Sequence, residues 1–438
     1  QPRKPWITQT TLDLIEQAHV FREEQKFEQE TAKNKEVKKQ ARKDKKDWMT
    51  THLQTVTRST IREKWKGLTQ LRKGYQPRQT RLIWEGEAQP YHERANVLAS
   101  HLASKQWATH RPTDTQIHAL KTDPPLFPDI LPLSEAPFDL TDLDEALAEV
   151  KPHKASGPDG LPADSIKLLD DTHKQILLDQ LNLCFKDRTT PYSWSHAIVV
   201  SIFKPGKDSA LPENYRPISL LQTTYKIYSR MLHTRISAHV EPRLRPHQYG
   251  FRKKRSTGDP IHLTRRIQEL YESTNDSLYL LFLDWKQAFD KVSHIGLESS
   301  LRRIGITDKY IQRIMQIYEE PTFEVRDAGK TSRSHPQEGG IRQGCPLSPY
   351  LFVIFMTVLM HDVDATLITP LPYCFSANIP FYDIEYADDT LLVARTAARA
   401  QELLTAVETQ SHKYGMMLNA DKTVVLAMNV STQTNISL

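Results

Sequence analysis

Three carboxylates carry the strongest chemical signal in this 438-residue chain. The stretch SLYLLFLDWKQAFDKV is apolar without a break from Leu278 to Leu283, long enough for a buried strand, and it delivers Asp284 at the end of that run. A carboxylate there is costly unless it is paired or bound to metal. Further along, PFYDIEYADDTLLVAR has apolar residues on both sides of a polar turn, which predicts a hairpin with Asp388 and Asp389 at its tip. Adjacent carboxylates repel, so in a fold they share a proton or need a cation. Three acids converging from two strands can hold two Mg2+ ions, hard cations that take oxygen ligands and share them with substrate phosphates. Two such ions roughly 3.5–4 Å apart stabilise both the attacking and the leaving oxygen of an in-line phosphoryl displacement. An Asp-Asp pair alone is weak, because at most turns it is only solvated turn chemistry.

The charge distribution points the same way. The formal charge is +5, yet residues 1–80 carry +9 and residues 195–266 carry +10, which leaves −14 on the rest of the chain. Two basic zones beside an acidic remainder suggest a polyanionic partner held near a carboxylate cluster. In the first zone Glu and Lys alternate at helical spacing, so a merely solvated helix face stays open there. With 39% hydrophobic residues the chain can bury a core, and its length suggests two to four domains. The three cysteines, Cys184, Cys345 and Cys374, lie too far apart in sequence for a disulfide framework or a zinc site of their own, which favours a reducing compartment. The seventeen histidines show no metal-ligand spacing. No run approaches the ~18 apolar residues of a membrane span, and no signal-peptide pattern follows Gln1. The expectation is a soluble, intracellular piece of a longer product, with no membrane association.

The elements that must position these groups follow from periodicity and turn chemistry. Residues 11–73 read as helix, since no Pro falls between Trp6 and Pro77 and helix formers dominate, but Phe21 to Trp48 is too polar to make a core alone. Five prolines in DPPLFPDILPLSEAP predict a linker, after which Thr141 is the expected cap of LDEALAEV. KPHKASGPDGLP is a loop, and a helix is expected from Asp164 to Lys186. Ala197 to Phe203 and NYRPISLL read as two arms of a hairpin bearing Lys204, Lys207 and Arg216, and Tyr225 to Val240 as a helix. The apolar run Leu351 to Met360 should be a buried helix, and Cys345 a small packing residue. Short strands and helices without regular βαβ alternation argue for α+β.

From about Lys151 to Met428 the chain resembles the reverse transcriptase domain of LINE-type (non-LTR) retrotransposons. HKASGPDGLPADSIK resembles the extra N-terminal motif of these enzymes, while IFKPGKDSALPENYRPISLL and QYGFRKKRSTGDPIHL resemble their two fingers motifs. FLDWKQAFDKV, GGIRQGCPLSPYLF and EYADDTLLVA are similar to the three palm motifs in order, and YGMMLNADKT to the fourth, Lys-bearing one. KPWITQTTLDLI with its charged sequel is similar to the spacer between endonuclease and polymerase.

The resemblance implies the fingers and palm of a right-hand polymerase, with an antiparallel palm sheet backed by helices. Its parts would be a basic helical spacer at 1–80, a helical and Pro-rich linker at 81–140, fingers at 141–275, palm at 276–430, and a truncated start of the thumb at 431–438. It implies an RNA-directed DNA polymerase that extends a DNA primer on an RNA template with dNTPs, nuclear by analogy. Asp284, Asp388 and Asp389 would hold two Mg2+ ions (Mn2+ being possible), with the main-chain carbonyl of Trp285 as a further ligand. Lys204 and Arg216 would hold the triphosphate, an Arg fork and a Lys point charge both suiting phosphate oxygens. The Phe289 ring would clash with a 2′-hydroxyl and so select dNTPs. Gln343 would touch nucleotide or template, Gly344 would let backbone approach a base pair, and Lys422 would serve the departing pyrophosphate. The alternatives are a reverse transcriptase of group II intron type and a catalytically impaired relative kept as an RNA-binding module. Target site, host and oligomeric state are not legible in the residues.

Overall fold

The computed structural model describes residues 6–24, 26–57, 80–108, 113–152, 154–327, 329–367, 382–430 and 436, the side chains of 52–57 excepted. Cys374, the expected helix beyond residue 57 and all of 431–438 except Ile436 lie outside the described residues. The chain forms two compact units, 1–80 and 81–438.

In the first unit the helix expected from residue 11 onward is two helices, Gln9–Glu23 and Phe27–Thr57. Neither Gly nor Pro marks the break. The amides of Glu24 and Lys26 close the first helix on the carbonyls of Val20 and Phe21, and Glu28 and Glu30 open the second, acids complementing its positive end. One carboxylate pins the pair. Asp44 accepts from the Thr8 amide at 3.0 Å, the Thr8 and Thr11 hydroxyls at 2.7 Å each, and Gln40 Nε2 at 2.9 Å. Burial opposes its charge, but these donors outweigh burial and bring its pKa down to about 2.

The second unit holds eleven described strands in chain order. These are β1 (Ile83–Trp84), β2 (Glu87–Ala88), β3 (His196–Phe203), β4 (Tyr215–Leu220), β5 (Leu278–Leu283), β6 (Thr322–Asp327), β7 (Lys330–Thr331), β8 (His335–Pro336), β9 (Asp383–Tyr386), β10 (Asp389–Ala394) and β11 (Val424–Met428). One sheet runs β11-β5-β10-β9, antiparallel throughout. The continuous apolar sequence of β5 is explained by cover on both faces. Leu278 and Leu280 pack with Ile267 and Tyr271 of the helix Gly258–Thr274. Leu281 and Leu283 join the main core, which also takes in Leu403 and Val407 of the helix Ala397–Lys413.

The second sheet runs β4-β3-β6-β7, with β8 also on β6. Its β3–β4 hairpin has Phe203 opposite Tyr215, and β6 joins β3 in parallel although 322–336 falls in the span read as palm. The helix Ser348–Thr366 crosses the core with every residue from Tyr350 to Met360 buried, as an all-round apolar helix must be.

Local start signals correct two expectations. The helix Leu140–Glu149 is capped by Asp139 rather than Thr141. Asp139 accepts the Asp142 amide, and Asp142 accepts the Asp139 amide in return. The helix expected from Asp164 to Lys186 is split into Ala163–Lys167 and Asp171–Asp187, because Asp170 caps a new start by accepting the His173 amide. The Pro-rich stretch is irregular but not loose. The Leu126 and Leu131 amides bond to the carbonyls of Arg303 and Gly305 at 2.8 Å each, and Leu131, Leu133 and Phe138 are buried.

Candidate active site

The register of β5 and β10 assembles the acids. Thr390 pairs with Leu283 at the end of the ladder, so Asp389, just before Thr390, and Asp284, just after Leu283, leave the sheet at the same end. Asp388 shares with Ala387 the two-residue turn between β9 and β10. Asp284 and Asp388 are half-buried and Asp389 is exposed. Burial, and then the neighbouring charges of Asp389 and Asp284, push the Asp388 carboxyl above its ordinary value. Such mutual repulsion is the chemistry of a cation site, and the three acids fit one by donor type. Among the described residues, however, no group of three or more His, Cys, Asp or Glu is placed to hold a metal ion.

Asp284 has other partners instead. It accepts from Asn419 Nδ2 at 3.0 Å and Lys422 Nζ at 3.2 Å. Main-chain bonds hold that loop in place: the Lys286 amide to the Met417 carbonyl and the Asn419 amide to the Asp284 carbonyl. Lys422 thus lies against Asp284, and Asn419 beside it was missed. Its only sequence signal is its place three residues before Lys422. Trp285 is buried, with its indole Nε1 donating to Thr390 Oγ1 at 3.2 Å.

Lys204 follows β3 and is half-buried, its ammonium donating to the Glu213 carbonyl at 2.9 Å. Burial and then the positive Arg216 lower its pKa; Asp290 opposes this and Lys422 adds to it, so these cations share one field. Arg216 is exposed on β4, opposite Ile202. A cleft of about 690 Å3 runs between this hairpin and the carboxylate strand, lined among others by Lys204, Lys207, Lys286, Lys291, Asn419 and Lys422. Asp389 instead borders a second, more apolar groove of about 470 Å3, with Ile261, Phe282 and Tyr386 in its wall.

Phe289 is held by rings on two sides. It stacks on Phe352 with centroids 4.4 Å apart and meets Phe251 edge-on at 6.0 Å. Gln343 is half-buried, donating Nε2 to Asp290 Oδ1 at 3.2 Å. Gly344 makes its close approach to the backbone of β4: a Cβ there would lie 2.3 Å from the Ser219 carbonyl oxygen. Cys345 is buried against the Tyr225 hydroxyl, 2.9 Å away.

Two buried polar centres escaped sequence reasoning. Asp290, 4% exposed, also accepts from Gln106 Nε2 at 2.7 Å and Trp107 Nε1 at 2.9 Å, and so ties Gln343 to a segment far upstream. Below the Asp388 turn, Arg245 grips Asp383 through two bonds of 3.0 and 2.8 Å. Burial would raise Asp383, but Arg245 keeps it low. Burial and the charge of Asp383 push Glu385 well above the usual carboxylate range.

Comparison with known proteins decides the family. Residues 202–436, more than half of the chain, match the family described as Reverse transcriptase (RNA-dependent DNA polymerase). The chain belongs to the reverse transcriptase family. This reverse transcriptase domain is 29% identical over 347 residues to the probable RNA-directed DNA polymerase from transposon BS of Drosophila melanogaster, covering 76% of this chain and 36% of that protein. It is 30% identical over 342 residues to the RNA-directed DNA polymerase from mobile element jockey of Drosophila funebris, covering 75% and 36%. The similarity is thus to LINE-type, non-LTR elements, and the chain spans about a third of the length of these relatives. Among solved structures, apo telomerase from Candida tropicalis, truncated from its C-terminal domain, aligns at 15% identity and a TM-score of 0.39, over 59% of this chain and 56% of that one. Among the described residues no helix is long and apolar enough to cross a membrane.

Proposed function

We propose that this chain is the polymerising part of an RNA-directed DNA polymerase of a LINE-type retrotransposon, adding dNTPs to the 3′-hydroxyl of a DNA primer along an RNA template and releasing pyrophosphate. The observation that carries this reading is the β5–β10 register, which brings Asp284 and Asp389 to the same end of the sheet, with Asp388 in the adjoining turn and a lysine-lined cleft alongside. In the reading favoured here Asp284, Asp388, Asp389 and the Trp285 carbonyl would hold two Mg2+ or Mn2+ ions, which when bound activate the attacking hydroxyl and neutralise phosphate charge.

The chain's own side chains do the rest. Lys204 and Arg216 hold the triphosphate of the incoming nucleotide on the fingers side. Phe289, fixed by its stack on Phe352, leaves no room for a 2′-hydroxyl. Gln343, anchored through Asp290, lines the nucleotide's place. Lys422 Nζ is a proton donor for the departing pyrophosphate.

The test is primer extension by Asp388→Asn with binding of the RNA template measured in parallel. Extension should be abolished while template affinity stays nearly unchanged, because only one ligand charge is lost. An active variant would refute the role given to Asp388.

A further inference from the structure

The motif QYGFRKKRSTGDPIHL contributes a side chain that the catalytic reading leaves without a task. Gln248 is fully buried and its carboxamide is used on both ends. Oε1 accepts from the amides of Gly250 and Ala387 at 2.8 Å each. Nε2 donates to Glu385 Oε2 at 2.8 Å and to the Ala387 carbonyl at 3.2 Å. Both main-chain groups of Ala387 are therefore gripped by one side chain. Ala387 needs that grip: it is the turn residue before Asp388, and at φ 57° it stands in the left-handed region that a residue with a Cβ rarely adopts.

The backbone around Gln248 completes the clamp. The Tyr249 amide bonds to the Glu385 carbonyl at 2.8 Å, and the Glu385 amide to the His247 carbonyl at 2.9 Å, so His247–Tyr249 runs as a short extra strand beside β9. Gly250 then passes so close to the turn that a Cβ on it would sit 2.2 Å from the Ala387 nitrogen. A carboxamide matches this site because it offers donor and acceptor in one plane at any pH.

We infer that Gln248 is the positioning residue of the Asp388–Asp389 turn, holding Ala387 left-handed so that the two acids stay in line with Asp284. It touches no reacting atom. The inference rests on the polymerase reading for its consequence, though not for its geometry.

Amide hydrogen exchange and steady-state kinetics test it on the whole chain. In the wild type the Ala387 amide should exchange as slowly as interior amides of β10, and in Gln248→Met, which keeps the volume without the polar atoms, at least tenfold faster. Below the melting transition Gln248→Met should lose on the order of 100-fold in kcat, with the dNTP KM and RNA affinity within about twofold. Active sites are counted by burst incorporation, because a loss of folded protein would by itself lower an apparent kcat at unchanged KM. Gly250→Ala, which pushes the same turn from the other side, should reproduce the kcat loss with the carboxamide intact. Wild-type exchange at Ala387 in Gln248→Met, a freely exchanging Ala387 in the wild type, or an undiminished kcat would overturn the inference. A wild type that extends no primer while its Ala387 amide is protected and released by Gln248→Met would count against the polymerase reading and leave the clamp standing.

Discussion

Gly344 meets strand β4 at a point where one methyl group has a calculable effect. Its φ is 138°, and a Cβ built on it would lie 2.3 Å from the Ser219 carbonyl oxygen, where ordinary contact begins at 3.4 Å. In Gly344→Ala the strand β4 must therefore retreat by about 1 Å, or residue 344 must rotate away. Either movement strains or breaks the bond from the Ser219 amide to the Gln343 carbonyl, now 2.8 Å. A bond of that kind is worth about 1 kcal/mol, and an L residue in so unfavourable a conformation costs roughly 1–3 kcal/mol, for a loss of about 2–4 kcal/mol. The functional loss should be larger in proportion. Arg216 stands on the same strand three residues before Ser219, and a 1 Å misplacement of a positioning group can lower the rate on the order of 100-fold. Thermal unfolding followed by circular dichroism measures the first effect, and single-turnover nucleotide incorporation at saturating primer–template the second. A variant that melts within about a degree of the wild type and incorporates dNTP at the same rate would show that this contact does not join the strand to the loop.

Three shorter expectations follow from other contacts. Phe289→Ala should admit ribonucleotides, and loss of its stack on Phe352 should cost about 0.5–1.5 kcal/mol beyond the area exposed; unchanged dNTP-over-rNTP selectivity in extension assays would move the sugar gate elsewhere. Asp362→Ala should destabilise the fold by about 3 kcal/mol, read from the urea midpoint, because buried Arg303 would lose its bonds of 3.0 and 2.6 Å and keep only Asp123, 3.6 Å away, as a counter-charge. Burial, together with Arg230 and Lys253, lowers the His233 pKa to about 4. Between pH ~6.5 and ~4 the unfolded chain takes up a proton that the folded chain refuses, so stability falls on acidification, by up to about 3 kcal/mol from this group. His233→Phe should flatten that slope, and an identical pH–stability curve would remove His233 from the account.

What could be read before the coordinates was local. The six-residue apolar run of β5 announces a strand with Asp284 at its end, and the polar turn between two apolar arms announces β9 and β10. Both signals lie within a few residues of the groups they describe. Groups whose meaning depends on distant chain stayed illegible. Gln248 finds its partners 137 to 139 residues away and Asp290 finds Gln106 184 residues away, so each looks in sequence like any solvated polar residue. The parallel pairing of β3 with β6 was hidden for the same reason, since no local pattern names a partner strand. The break between the first two helices went unseen because Glu24 to Lys26 contains no helix breaker. The proline-rich stretch was read by what it cannot form, which says nothing of the buried Leu131 and Phe138 that strap it to the core.

The strand β3 has a practical bearing on any attempt to trim this protein. The segment matched by the family as a whole begins at residue 202, inside His196–Phe203, a strand that lies between β4 and β6, although individual relatives align over about three quarters of the chain. A cut there would remove most of a central strand and every upstream residue that Asp290 relies on, Trp107 included, whose ring also packs edge-on against Phe323 of β6. The smallest piece able to keep its shape must reach back at least to the Arg94–His101 helix and its continuation through Gln106. The border of the matched family segment and the border of the folded unit do not coincide in this molecule.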